Sequence, residues 1–217
     1  MIKAKNISQD SVNWISGTNS SCLEHIHKKS INISIYDRNI DYMINEIRNL
    51  LNMNIEFRAS GGITEIIKTV KNELDSKSHN QIINDINELL ILFKKVSKAK
   101  SFKLLLTTVG TNMCRKFHTD INDLRMLCTY SGPGTLWLKE NNINRKALNS
   151  YSDNNDIVLD ENKIQQTKEG SVILLKGAIY PQSKTLAAVH RSPTIEESGE
   201  KRLLLRIDTN EFLNFLS

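Results

Sequence analysis

The chain is poor in cysteine, and the three it has, Cys22, Cys114 and Cys128, are odd in number and show no Cys-x-x-Cys spacing. That argues against a disulfide framework and against a structural zinc site, and leaves reduced, mostly buried thiols as the expectation. No apolar run is long enough to span a bilayer. Asn6, Ser8, Gln9 and Asp10 stand where a secretory signal would be apolar, so a cytoplasmic protein without membrane association is expected. Internal repeats are absent as well. The formal charge is +5, and the densest basic run is Lys94, Lys95, Lys98, Lys100 and Lys103. These read as a solvated helix end, favourable against the macrodipole, rather than as a surface for stacking bases, and nucleic-acid binding is not expected.

What the sequence does have is a globular composition, 39% hydrophobic and 24% charged over 217 residues, enough to bury one sizeable core. Its two parts differ in periodicity. Before Ser101 the apolar residues recur three or four apart, from Asp41 to Leu51, from Ile63 to Leu74, and most clearly at Ile82, Ile83, Ile86, Leu89, Leu90 and Phe93. Asn84, Asp85, Asn87 and Glu88 are expected on the opposite, polar side of that third helix. Ile31 to Ile35 alternates and reads as a short strand ahead of the helices. After Ser101 come short apolar and β-branched runs bounded by turn-formers. Strands are expected at Phe102–Val109, Met113–His118, Leu124–Tyr130, Thr135–Leu138, Ile157–Leu159, Val172–Lys176, Leu186–His190 and Leu203–Ile207. The polar insertion from Asn141 to Lys168 is long for a hairpin connection.

Two stretches far apart carry the chemistry, Phe117-His118-Thr119-Asp120 and Val189-His190-Arg191-Ser192-Pro193. Together they offer two imidazoles and a carboxylate, the ligand set of a 2-His-1-carboxylate facial triad that leaves one side of a ferrous ion open. In extended backbone His118 and Asp120 leave the same face and can grip one metal. His190 joins them only if the intervening chain folds back. Cys114 and Cys128, near His118 in sequence, keep open a site for a softer metal such as zinc. His25, His27 and His79 read as surface or loop residues.

The segment Cys114 to Leu138, together with Leu174-Leu175-Lys176-Gly177, His190-Arg191-Ser192-Pro193 and Arg202-Leu203-Leu204-Leu205, resembles the bacterial domain-of-unknown-function family 1826. The order of parts is also similar to the double-stranded β-helix of Fe(II)/2-oxoglutarate-dependent oxygenases. There an H-x-D pair ends an early strand, a Gly-rich turn and Thr follow (here Gly132 to Thr135), and a distal His precedes a basic residue on the last strand. The resemblance implies an α+β fold, residues 1–100 forming a mainly helical N-terminal layer and 101–217 a jelly-roll, cupin-like double-stranded β-helix, in one integrated domain. It also implies Fe(II) held by His118, Asp120 and His190, with 2-oxoglutarate as co-substrate. Arg202 would pair with the distal carboxylate through its forked guanidinium. Arg206 shares its strand face and is the runner-up; Arg125 is a third candidate, and Tyr130 or Thr129 could add a hydroxyl. The expected activity is that of a hydroxylase-type dioxygenase acting on a small molecule or a protein side chain, with Trp137, Tyr180 and the insertion as candidate substrate contacts and Ser192 as a further carboxylate partner. The alternative is a non-catalytic zinc- or iron-binding protein of metal homeostasis. Oligomeric state is left open.

Overall fold

A computed structural model describes residues 12–148, 152–181 and 186–209. Asn6 to Asp10 lie outside them. Ten strands and five α-helices are formed by the described residues. Strands β1 (Trp14–Gly17) and β2 (Ile33–Tyr36) precede helix α1 (Ile44–Met53), strand β3 (Glu56–Gly61) and helices α2 (Ile63–Glu73) and α3 (Asn80–Ser97). The rest is β4 (Phe102–Val109), β5 (Leu124–Ser131), β6 (Leu136–Trp137), short helices α4 (Arg145–Leu148) and α5 (Asn154–Ile157), then β7 (Gln165–Gln166), β8 (Val172–Lys176), β9 (His190–Arg191) and β10 (Arg202–Thr209). None of the described helices is long and apolar enough to cross a membrane.

The strands form a seven-stranded sheet in the order β1-β2-β8-β5-β10-β4-β3 and a three-stranded sheet in the order β7-β6-β9. An isolated antiparallel bridge between His118 and His190 adds a fourth position to the small sheet. From β4 onward the chain therefore visits the large sheet, the His118 position, the large sheet at β5, the small sheet at β6 and β7, the large at β8, the small at β9 and the large at β10. That alternation is the winding of a jelly roll, and it defines the double-stranded β-helix from this chain's own hydrogen bonds. β1, β2 and β3 extend the large sheet on both sides.

The helices cover the outer face of the large sheet. Strand alternation sends Leu124, Met126, Cys128 and Tyr130 of β5, and Leu203, Leu205 and Ile207 of β10, into one core with Ile82, Ile86, Leu90 and Phe93 of α3. The opposite face of β5 and β10 looks into the roll, where Leu127 packs with Trp137, Ile173 and Leu175.

Some expectations need correction. Met113–His118 is not a strand: the Phe117 N–H donates to Asn154 Oδ1 and the Asn154 amide donates to the Arg115 carbonyl, so these backbone groups are taken by a helix residue and only His118 bridges. Ile157–Leu159 is not a strand: Ile157 ends α5, where Asp153 accepts from the N–H groups of Asn155 and Asp156 and caps a helical turn, and only Val158 bridges, to Ile143. Asp85 is buried rather than solvated. It lies one turn from Ile82 on the same side of α3, where it accepts from Arg38 and from the Tyr130 hydroxyl.

Candidate metal centre

His118 and His190 are placed by each other's backbone: the His118 N–H donates to the His190 carbonyl at 3.0 Å and the His190 N–H to the His118 carbonyl at 3.1 Å. A mutually bonded antiparallel pair sets both side chains on one face, and the rings lie 4.6 Å apart. His118 Nδ1 is 2.9 Å from the Lys116 carbonyl. As a donor there, it leaves Nε2 with its lone pair turned inward. Asp120 completes the group, with Oδ1 3.7 Å from His118 Nε2 and Oδ2 3.4 Å from His190 Nε2. One ligand atom from each of the three residues lies within 4.8 Å of the others.

These residues fit a metal ion. Asp120 Oδ2 is buried without a hydrogen-bond donor, which is costly for a carboxylate unless a cation takes the place. Burial pulls His190 down to about 4, the Asp120 carboxylate opposing that shift, so its imidazole is neutral at physiological pH and able to ligate. The donor set of two nitrogens and one oxygen suits Fe(II) and also zinc.

Asp120 is itself held. Arg125, on the inward face of β5, pairs through Nη1 with Asp120 Oδ1 at 2.6 Å and through Nε with Asp208 Oδ1 at 2.6 Å. Asp208 also accepts from Asn122 at 3.2 Å and pairs with Arg206 Nε at 3.2 Å. Although burial opposes its charge, the Asp208 and Asp120 carboxylates keep the Arg125 guanidinium more firmly protonated than usual. Its guanidinium is engaged by both carboxylates and positions Asp120. Asp208 was not among the sequence candidates, yet its even offset from Arg202 and Arg206 on β10 already placed it on their face.

Arg202 is different. It is 1% exposed, lines the cavity that also holds His118 and His190, and donates from Nη2 to Thr129 Oγ1 at 3.0 Å. No carboxylate pairs with it among the described residues, and its Nε has no acceptor. Burial lowers it to about 10, so it stays charged at neutral pH. Thr129 thus sits where a hydroxyl beside Arg202 was anticipated. Tyr130 does not, because adjacent strand residues face opposite ways; its hydroxyl donates to Asp85 Oδ2 at 2.6 Å on the helical side.

The other candidates divide. Ser192 lines the cavity and its N–H donates to the Cys114 carbonyl. Cys114 also lines it and is exposed, contrary to the buried state anticipated, while Cys128 is buried beside Arg38. Trp137 is inter-sheet core against Trp14. Tyr180 lies away from the triad, its hydroxyl 2.6 Å from His27 Nδ1. His79 is buried at the start of α3.

Fold and ligand set define a jelly-roll protein with a candidate 2-His-1-carboxylate metal centre. The chain belongs to the family described as protein of unknown function (DUF1826), which matches residues 17–208. No curated protein matches it significantly. Among solved structures it is similar to a Pseudomonas putida prolyl-4-hydroxylase, at 7% identity over 88% of this chain and 97% of the other, with a TM-score of 0.46. It is also similar to a full-length Neurospora crassa protein in complex with alpha-KG, at 11% identity over 96% and 88%, with a TM-score of 0.47. A third is the Fe(II)/(alpha)ketoglutarate-dependent dioxygenase TqaL, at 13% identity over 78% and 74%, with a TM-score of 0.44. At such identities the likeness is one of architecture, and the strand order above is what defines the fold.

Proposed function

We propose that the protein is a Fe(II)/2-oxoglutarate-dependent oxygenase of the hydroxylase type, with His118, Asp120 and His190 as metal ligands and Arg202 as the anchor for the distal carboxylate of 2-oxoglutarate. The observation that carries this reading is the pairing, in one cavity, of a three-residue candidate ligand set with a buried guanidinium that has no carboxylate partner among the described residues. A desolvated cation without an anion is costly, and a bidentate carboxylate from a co-substrate would relieve that cost.

Bound Fe(II) would supply the redox chemistry, coupling oxidative decarboxylation of 2-oxoglutarate to oxidation of a substrate C–H bond. The chain's contribution is positional. The mutual backbone bonds of His118 and His190 fix the imidazoles, Arg125 turns Asp120 so that Oδ2 is free, and Thr129 steadies the Arg202 fork. The cavity between triad and Arg202 is narrow, about 60 Å³.

The test is an anaerobic optical titration of Fe(II)-loaded protein with 2-oxoglutarate. A metal-to-ligand charge-transfer band is expected, abolished in His190→Ala and requiring far more 2-oxoglutarate in Arg202→Ala. No band, with zinc retained and no succinate formed under air, would replace this reading with that of a non-catalytic metal-binding protein.

A further inference from the structure

The inward face of the large sheet does not stop at the triad cavity. The ladder puts Arg58 of β3, Leu105 of β4, Arg206 of β10 and Leu127 of β5 in one row across the sheet, and Ser60, Lys103, Asp208 and Arg125 in the next. Two strand spacings separate Arg58 from Arg206, about 10 Å, with Lys103 one same-face step along from Leu105. Arg58, Ser60, Lys103 and Arg206 border a second cavity of about 260 Å³. Arg206 lines both cavities, so the two are neighbours.

The charge on this shelf is not balanced from within. Lys103 has no carboxylate partner among the described residues. Among the described residues Arg58 pairs only with Glu56, and both side chains are more than half exposed, 64% and 58%, so that pair is weak and easily screened. Arg206 reaches Asp208 through Nε alone, and Asp208 is already bound twice by Arg125. Three cations from three strands thus converge on an open cavity beside the metal centre, and the hydroxyl-bearing Ser60 borders the same space.

We propose that this shelf is the substrate subsite and that it takes a phosphate group, so the substrate is a phosphorylated small molecule whose C–H bond is presented to the metal across Arg206. A tetrahedral oxyanion offers acceptor oxygens in the several directions from which two guanidiniums and an ammonium approach; one planar carboxylate satisfies a single fork. The substrate assignment rests on the oxygenase reading; the oxyanion site itself rests on the three cations.

The experiment is calorimetric titration of inorganic phosphate into the full chain loaded with Zn(II) and saturated with 2-oxoglutarate, alongside separate measurement of 2-oxoglutarate affinity. One saturable site is expected, weakened at least tenfold in Arg58→Gln/Lys103→Gln and by added NaCl, with 2-oxoglutarate affinity unchanged in that variant. His190→Ala should lose 2-oxoglutarate and keep phosphate. Unsaturable binding, equal binding by the double variant, or loss of phosphate together with His190 would overturn the subsite, the last because the anion would then sit on the metal. Phosphate binding without any 2-oxoglutarate binding by the wild type would overturn the substrate role and the oxygenase reading together, while the oxyanion site stood.

Discussion

Replacing Arg202 by Met should make the protein more stable and unable to hold 2-oxoglutarate. Arg202 is buried, bonded among the described residues only to Thr129, and lowered by burial to about 10. That depression corresponds to a burial cost on the order of 3 kcal/mol at about 1.4 kcal/mol per tenfold. Methionine fills most of the same volume without the charge, and the lost hydrogen bond to Thr129 forfeits about 1 kcal/mol. The net gain is about 2 kcal/mol, a rise of roughly 4–8 °C in Tm for a chain of this size. The sign with pH follows from proton uptake. Between about 10 and its ordinary, higher value the unfolded chain binds the Arg202 proton and the native chain does not, so wild-type stability rises with pH there and the variant's does not. Ligand linkage runs the other way. Removing one partner of a buried carboxylate–guanidinium pair costs about 2–5 kcal/mol, a loss of roughly 30-fold or more in affinity for 2-oxoglutarate. The assay is thermal and urea unfolding of metal-free protein, then of Zn(II)-loaded protein with and without 2-oxoglutarate. A variant destabilised by more than about 1 kcal/mol that still gains Tm from 2-oxoglutarate as the wild type does would make Arg202 an ordinary packing residue.

Arg125→Ala removes the cation that turns Asp120 and should weaken metal binding by about 10–100-fold in competition with a chelating dye; unchanged metal affinity would refute the orienting role. Asp85→Asn leaves Arg38 buried without its charge partner and should cost about 3–5 kcal/mol in urea unfolding. Tyr130→Phe should cost about 1 kcal/mol and leave 2-oxoglutarate affinity untouched, because its hydroxyl serves Asp85 on the helical side; weakened co-substrate binding would put Tyr130 back in the site. Lys176, 2% exposed, is pulled by burial to about 8. Between there and its ordinary 10.5 the unfolded state carries the extra proton, so stability rises with pH, and Lys176→Met should flatten that rise over pH 8–10, below the range where Arg202 contributes.

How much of this was legible depended on whether a residue's role is set by local periodicity or by a distant partner. The candidate ligand residues, which the fold brings together, could be picked out because their chemical types and the H-x-D spacing are local, and β4, β5 and β10 because eight-residue strands leave a clear pattern. β6 lies within the expected Thr135–Leu138, and β9 overlaps the expected Leu186–His190 at His190 alone; β7 was not expected, because at two residues it is defined by its pairing with β6. β3 was missed because only Phe57 and Ala59 of its six residues meet the core, while Glu56 and Arg58 stand exposed. Two errors were errors of parity rather than of information. Tyr130 is an odd number of residues from Arg125, which in a strand puts it on the other face, and Asp85 is one helical turn from Ile82, which puts it in the core. The same parity, applied to β10, ties the site together. Arg202, Leu204, Arg206 and Asp208 share one face, and Asp208 there binds both Arg125, which orients the ligand Asp120, and Arg206, which borders the proposed phosphate shelf. A charge arriving at Arg206 would therefore compete for the carboxylate that also steadies Arg125, and on the proposed reading substrate binding would be coupled through one side chain to the geometry of the candidate metal ligands.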